Sequence, residues 1–122
     1  MSVPIEHPQI RTGSHDGTIF KWNDENRDGE VSKDEGTTLK HSTTEGVTCM
    51  VQVDGRYFWA GTERGKLVIW DVDEDEPVCE IPAHKERISS ICGMGQAAWS
   101  AGADKTILGW STTSLPIRPR ML

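Results

Sequence analysis

Apolar residues fall in short runs along this chain, each closed by a polar or glycine-bearing turn. Tyr57, Phe58 and Trp59 open one run; Leu67, Val68, Ile69 and Trp70 form the next, with Thr62-Glu63-Arg64-Gly65 between them. Aromatic and β-branched runs joined by a tight turn predict a β-hairpin. The pattern occurs twice more, as TGSHDGTIFKW at residues 12–22 and WSAGADKTILGW at 99–110. Trp22 and Trp70 are 48 residues apart and Trp70 and Trp110 are 40 apart, while Gly13, Gly61 and Gly102 keep step at 48 and 41. Helical periodicity is weak throughout, and residues 27–40 are the one stretch where a helix comes into consideration.

The repeat predicts four strands per unit, a to d. In the first unit Val3-Pro4-Ile5 offers a short edge strand, where Pro is tolerated. Residues 9–14 and 18–22 form strands b and c, and after an acidic loop 37–41 form strand d. In the second, strand a at 46–53 meets Asp54-Gly55, a strong hairpin-turn signal. Strands b, c and d follow at 56–61, 66–71 and 78–81. In the third, strand a at 88–92 turns around Gly93-Met94-Gly95 into strand b at 97–101 and strand c at 106–110, and the tail supplies a last strand before Pro116.

A period near 40–45 residues with four short strands per unit belongs to propeller blades. The chain resembles the WD40-repeat family in GTIFKWN, GKLVIWD and KTILGWS, with His41 and His84 ahead of the second and third units; the resemblance covers nearly all of residues 9–111. It implies an all-β fold, a WD40-like partial β-propeller of about three four-stranded antiparallel blades. Blade one spans about 3–41, blade two about 42–82 and blade three about 83–116, with a tail at 117–122. Propellers close with about four to eight blades. The chain is therefore expected to be a piece of a longer protein, or a subunit that completes its ring by self-association or with blades from elsewhere.

Composition narrows the function. A length of 122 residues suits one domain. No run approaches the roughly 18 apolar residues of a membrane span, and MSVPIEHPQI lacks the basic start and apolar core of a secretory signal. Cys49, Cys79 and Cys92 show no C-x-x-C spacing and read as reduced thiols of an intracellular, cytoplasmic protein. A net charge of -6 argues against a nucleic-acid partner. Residues 24–35 carry six acids and two bases, and DVDEDE at 71–76 carries five acids. Both are c–d connections, which emerge on one face of a propeller. That face, with Asp73, Glu74, Asp75 and Glu76, suits basic protein partners. The opposite face would carry Arg64, Lys85, Arg87 and Lys105.

Three sets of residues have chemical potential. His84, Ser100 and Asp104 invite a hydrolase reading, but a nucleophile also needs an oxyanion hole and defined geometry, and no G-x-S-x-G elbow is present. The WD40 resemblance implies instead a structural tetrad of His84, Ser100, Asp104 and Trp110. Blade one keeps Thr12, Asp16 and Trp22 with no histidine in range. Blade two keeps Trp70, and His41 in roughly the right place, but has Ala60 and Arg64 where Ser and Asp would stand. Apolar packing of Phe58, Val68 and Trp70 should hold that blade, leaving Arg64 to solvent or a partner.

The acidic loop DENRDGEVSKDE, residues 24–35, matches the EF-hand calcium pattern. Asp24, Asn26 and Asp28 fall at the first ligand positions, Gly29 at the turn, Glu30 at the backbone-carbonyl position and Glu35 at the two-oxygen position. No entering helix is predicted, so the flanks depart from an EF-hand. A solvated acidic loop is the other reading. Calcium is the sole cofactor the sequence suggests. Pro116-Ile117-Arg118-Pro119-Arg120 has the composition of a proline-rich ligand, although a plain tail explains it as well. These observations point to a non-catalytic protein-interaction scaffold. The alternatives are a calcium-responsive module or a regulatory propeller segment of a larger enzyme, such as the inositol-phosphate phosphatases or Rho exchange factors whose propellers look similar.

Overall fold

A computed structural model describes residues 9–23, 36–38, 45–74, 76–113 and 119–122. These residues form three antiparallel sheets. The first contains β1 (Gln9–Gly13), β2 (Ile19–Asn23) and β3 (Gly36–Thr38) in the order β1-β2-β3. The second contains β4 (Val47–Val53), β5 (Tyr57–Thr62), β6 (Lys66–Asp71) and β7 (Glu76–Pro82), again in chain order. The third contains β8 (Ile88–Met94), β9 (Ala97–Gly102), β10 (Ile107–Ser111) and β11 (Arg120–Met121). Among the described residues no helix occurs, and 36–38 in the one stretch considered for a helix is a strand.

The alternation of side chains explains how the sheets stack. Successive residues of a strand face opposite sides, and β5 and β6 are buried on both. Tyr57, Trp59, Leu67 and Ile69 face the third sheet and pack with Ile88, Ala98 and Trp110. Phe58, Ala60, Val68 and Trp70 face the first and pack with Ile19. Blade two is thus the middle of the described stack, and its central strands read as nearly continuous apolar runs for that reason.

Several boundaries differ from the sequence reading. Arg120–Met121 form a strand in the tail, while the segment just before Pro116, where a last strand is expected, lies outside the described residues. Met121 pairs with Trp110 and Arg120 with Ser111, so the tail is the outer strand of blade three. Pro119 is buried and Arg120 is strand-paired, which excludes that part of the tail as a free proline-rich ligand. The a–b turn of blade three falls at Gly95-Gln96, two residues later than Gly93. The glycine alignment also shifts. Gly13 pairs with Ile19 and Gly61 with Leu67, but the matching partner of Ile107 is Ala101. Gly102 is one position on and serves another purpose, described below.

Strand a carries the same irregularity in blades two and three. The register slips between Val47 and Cys49 and between Ile88 and Ser90, leaving Thr48 and Ser89 as the extra residues of two β-bulges. Ser89 donates its hydroxyl to the Ala101 carbonyl at 3.1 Å. The Thr48 hydroxyl reaches the Gly61 carbonyl at 3.2 Å and also the Ile88 carbonyl of the next blade. Gly61 has no side chain because a Cβ there would come within 2.7 Å of Ile88 Cγ2. Gly13 stands in the same relation to Val47.

Candidate functional site

The b–c turns share one geometry. Gly17, Gly65 and Lys105 occupy the same turn position with φ of 90°, 90° and 68°, and their N–H groups donate to Ser14, Thr62 and Gly102 at 3.0–3.2 Å. Left-handed φ suits glycine, so Lys105 is the strained member. Gly65 is held further: its carbonyl accepts the N–H groups of Ala83 and His84 at 3.1 and 2.9 Å, and a Cβ would lie 2.1 Å from His84 O. That clamp delivers His84 to blade three.

His84 is at the centre of a hydrogen-bonded chain. Its Nε2 lies 2.8 Å from Ser100 Oγ, and the Trp110 indole N–H donates to the same oxygen at 3.1 Å. Its Nδ1 lies 2.8 Å from Thr106 Oγ1 and 3.3 Å from Asp104 Oδ1. Thr106 in turn donates its hydroxyl to Asp104. Donor counting assigns the protons, because an indole N–H can only donate and a carboxylate can only accept. In the order that follows, Trp110 donates to Ser100, Ser100 to His84 Nε2, His84 Nδ1–H to Thr106, and Thr106 to Asp104. Gly102 belongs here: a Cβ on it would lie 2.5 Å from His84 Nδ1 and 2.7 Å from Asp104 Oδ1.

Asp104 also accepts the Lys85 N–H at 2.9 Å and the Thr106 N–H at 3.1 Å. The Thr106 hydroxyl first, and the Lys85 N–H next, hold its carboxyl well below the usual carboxylate range. Sequence reasoning missed Thr106. Its signal is a Thr two residues after the turn Asp, present also as Asp16-Gly17-Thr18, where the Thr18 N–H donates to Asp16 at 2.9 Å and lowers that carboxyl too. The His84–Ser100–Asp104 set has the identities of a catalytic triad but no access. Ser100 is 1% exposed, and its Oγ is occupied by Trp110 on one side and His84 on the other.

Blade two solves the same problem differently. Ala60 stands at the Ser100 position and packs in the apolar cluster with Phe58, Val68 and Trp70, where the Phe58 and Trp70 rings stack with centroids 5.1 Å apart and planes 3° from parallel. At its turn the fully buried Thr62 donates to Glu45 at 2.8 Å and accepts the Lys66 N–H at 3.0 Å. Lys66 Nζ reaches Glu80 at 2.8 Å and Glu45 at 3.6 Å. Those contacts, Glu80 first, raise the Lys66 pKa. This Glu45–Thr62–Lys66–Glu80 network was not foreseen. Blade one places Thr12 and Asp16 on β1 and its turn and Trp22 on β2. His41 and the loop residues Asp24, Asn26, Asp28, Glu30 and Glu35 lie outside the described residues, as does Asp75.

The surface candidates separate by turn. Arg64, Lys85, Arg87 and Lys105 are exposed on b–c and d–a turns, which backbone bonds tie together, as in Ala103 N–H to Arg87 O at 2.8 Å. Glu63 and Glu86 are exposed on the same edge, so it is mixed in sign. Asp73, Glu74 and Glu76 are exposed at the opposite strand ends, beside the a–b turn that bonds to Val72 through Arg56 O at 2.8 Å. Asp71 caps this loop, accepting the Asp73 and Glu74 N–H groups at 2.8 and 3.2 Å.

Solved structures share this arrangement. The β-propeller domain of Myceliophteria thermophila Cps50 (Swd1) superposes with a TM-score of 0.75 over 95% of this chain and 42% of its own, at 16% identity. The computationally designed Ika8 protein gives 0.73 over 95% of this chain and 33% of its own, at 14% identity. The fold is a partial β-propeller. Among curated proteins, the p21-activated protein kinase-interacting protein 1-like of Gallus gallus is 29% identical over 112 residues, which are 90% of this chain and 28% of that protein. Its Danio rerio counterpart gives the same figures. The human kinesin-like protein KIF21A is 25% identical over 115 residues, 93% of this chain and 6% of that protein. The chain therefore spans just over a quarter of the length of the first two relatives. No family model matches it.

Proposed function

We propose that this chain is a non-catalytic, WD40-like propeller segment that presents its turns to protein partners. The carrying observation is the division of labour among its ionisable groups. Among the described residues the set with catalytic identities is spent on joining strands within blade three, while Arg64, Lys85, Arg87, Lys105, Asp73, Glu74 and Glu76 are exposed at the strand ends. The names of the Gallus gallus and Danio rerio relatives describe proteins that interact with a p21-activated kinase, which makes such a kinase the first partner to test. The acidic c–d edge, with Asp73, Glu74 and Glu76, is the docking edge for a basic segment. Complementary charge there speeds encounter and weakens as salt screens it.

The experiment is a titration of a p21-activated kinase with the chain, at low and physiological salt, beside two charge-reversed variants. Reversal of Asp73, Glu74 and Glu76 to Lys should abolish binding, and reversal of Lys85 and Lys105 to Glu should leave it. Equal affinity for all three proteins would refute the assignment of the acidic edge. Absence of any binding would remove the kinase as partner.

A second reading, a propeller segment within a larger multidomain protein, is favoured by the kinesin-like relative, in which the matched region is 6% of the length. A transcript whose reading frame continues past this one would decide for it.

A further inference from the structure

Four cations of the b–c and d–a edge take no part in the acidic docking edge. Arg64, Lys85, Arg87 and Lys105 are exposed, and among the described residues none of their side chains has an ion-pair partner. One of them stands at a groove. An open cavity of about 330 Å³ lies between the first residues of the inner strands β4 and β8, and among the described residues it is lined by Thr48, Arg87, Ile88 and Ser89. Ligand pockets usually span about 300–1,000 Å³. The fold sets these residues in place. The Arg87 carbonyl accepts the Ala103 N–H at 2.8 Å, which fixes the arginine at the lip. Thr48 and Ser89 are the bulge residues, and a bulge re-aims its side chain; both are exposed. Their hydroxyls donate to protein carbonyls, Thr48 to Gly61 and Ile88 and Ser89 to Ala101. What the two hydroxyls offer a ligand is therefore lone pairs, beside a guanidinium that only donates.

We propose that this groove binds an extended peptide segment through an Asp or Glu side chain. The Arg87 guanidinium takes the carboxylate, with which it can form two parallel N–H···O bonds. The Thr48 and Ser89 oxygens accept backbone N–H groups of the same segment. Free phosphate fits less well, because its acceptor oxygens would meet those of Thr48 and Ser89 with no proton between them. Arg64, Lys85 and Lys105 add favourable charge along the edge, and Glu63 and Glu86 offset part of it. Selection is therefore made by contact in the groove and not by the field of the whole edge. The site is separate from the acidic edge assigned above to a basic partner and lies at the other ends of the strands.

The test is a heteronuclear NMR titration of the full chain with the capped peptide Ac-Ala-Glu-Ala-NH2. At roughly 10 mM peptide, which fills most of a site of about 1 mM Kd, the amide signals of Thr48 and Ser89 and the side-chain N–H signal of Arg87 should shift and saturate. Ac-Ala-Gln-Ala-NH2 and inorganic phosphate should each bind at least about tenfold more weakly, as expected when a charge-assisted hydrogen bond is lost. Arg87→Gln should weaken the glutamate peptide to the same degree, with an unchanged β-sheet circular dichroism spectrum, whereas Arg64→Gln should change its affinity by less than about twofold. The variant with Asp73, Glu74 and Glu76 reversed to Lys should bind the peptide as the wild type does, so failure of the acidic edge and failure of this groove are separate results. Absence of shifts at Thr48 and Ser89, equal binding of the two peptides, or full binding by Arg87→Gln would overturn the site. Phosphate as tight as the glutamate peptide would overturn a peptide as its occupant. If Arg87→Gln does not fold, the comparison of the two peptides on the wild-type chain still decides.

Discussion

Blades two and three have the same strand order, the same bulge in strand a and the same turn, yet different interiors. Blade three is tied from its entry loop to its third strand by the Trp110–Ser100–His84–Thr106–Asp104 chain. Blade two replaces the Ser with Ala60 and fills the space with stacked Phe58 and Trp70, moving its polar contacts outward to Glu45, Thr62, Lys66 and Glu80. The lesson is that the backbone arrangement does not require the relay. Pairing of polar groups taken out of water is the general rule, and a blade without a buried Ser has less to pair, although the buried Trp59 Nε1 of blade two has no hydrogen-bond partner among the described residues.

The largest expected effect separates the two interiors by packing. Trp70→Ala should cost about 3–5 kcal/mol, as is usual when a buried Trp is truncated. Because Trp70 stacks on Phe58 and packs with the Ile19 cluster, near-ultraviolet circular dichroism should lose signal together with the melting temperature. A loss below about 1 kcal/mol would mean that blade two is held by something other than its aromatic stack.

Next come the reciprocal exchanges. Ser100→Ala strands the Trp110 N–H and the His84 Nε2 acceptor, at a cost of about 1–3 kcal/mol. Ala60→Ser puts a hydroxyl among Phe58, Val68 and Trp70, and an unpaired hydroxyl there costs about 1–3 kcal/mol. Urea unfolding of both variants measures this. Each exchange makes one blade more like the other, and each should destabilise. If Ala60→Ser stabilises, blade two is an unfinished relay and not a separate solution.

This comparison shows what the sequence made legible. The fold was readable because strand periodicity, the Trp spacing and the turn chemistry of Asp54-Gly55 agree; both of those residues have left-handed φ, 58° and 65°. His84, Ser100, Asp104 and Trp110 could be named because the WD40 resemblance implies a tetrad at those positions of the unit. Thr106 and Glu45 were harder. Thr106 sits among residues that a strand-start reading treats as generic, and Glu45 joins Thr62 from 17 residues away. The tail strand was missed because Pro116 and Pro119 suggest a break, whereas proline is tolerated just outside a short edge strand.

A smaller effect tests the turns. Lys105 holds a left-handed φ at the position where the other two blades have glycine. For a side chain that conformation costs about 1–2 kcal/mol, and glycine gives back part of it through unfolded-state entropy. Lys105→Gly should therefore stabilise by about 0.5–1 kcal/mol. Gly65→Lys should do the opposite and more strongly, since its Cβ would meet the His84 and Glu86 carbonyls at 2.1 and 2.7 Å.

The smallest effects are in pH, and they assign one limb of the stability curve to each blade. Asp104 has a folded pKa below its ordinary 3.8, so its contribution is complete above that value and is lost as pH falls through the folded pKa. Acid stability is therefore partly a property of blade three. Asp104→Asn should flatten the decline below about pH 4, and Asp16→Asn, in blade one, should flatten it less because its carboxyl has fewer partners outside its own turn. Lys66 runs the other way. Its folded pKa is raised above 10.5 by Glu80 and then Glu45, so its contribution is complete below that value and is lost as pH rises through the folded pKa. Cys49 adds to the same alkaline limb, starting near its ordinary 9.0, because burial keeps its thiol protonated in the folded state while the unfolded thiol ionises. Thermal melts from pH 2 to 11 on a Cys49→Ala background isolate Lys66. There Lys66→Gln should flatten the alkaline limb, and high salt should shrink the difference because Lys66 is 41% exposed. If Asp104→Asn flattens the alkaline limb as Lys66→Gln does, the two blades do not keep separate polar networks.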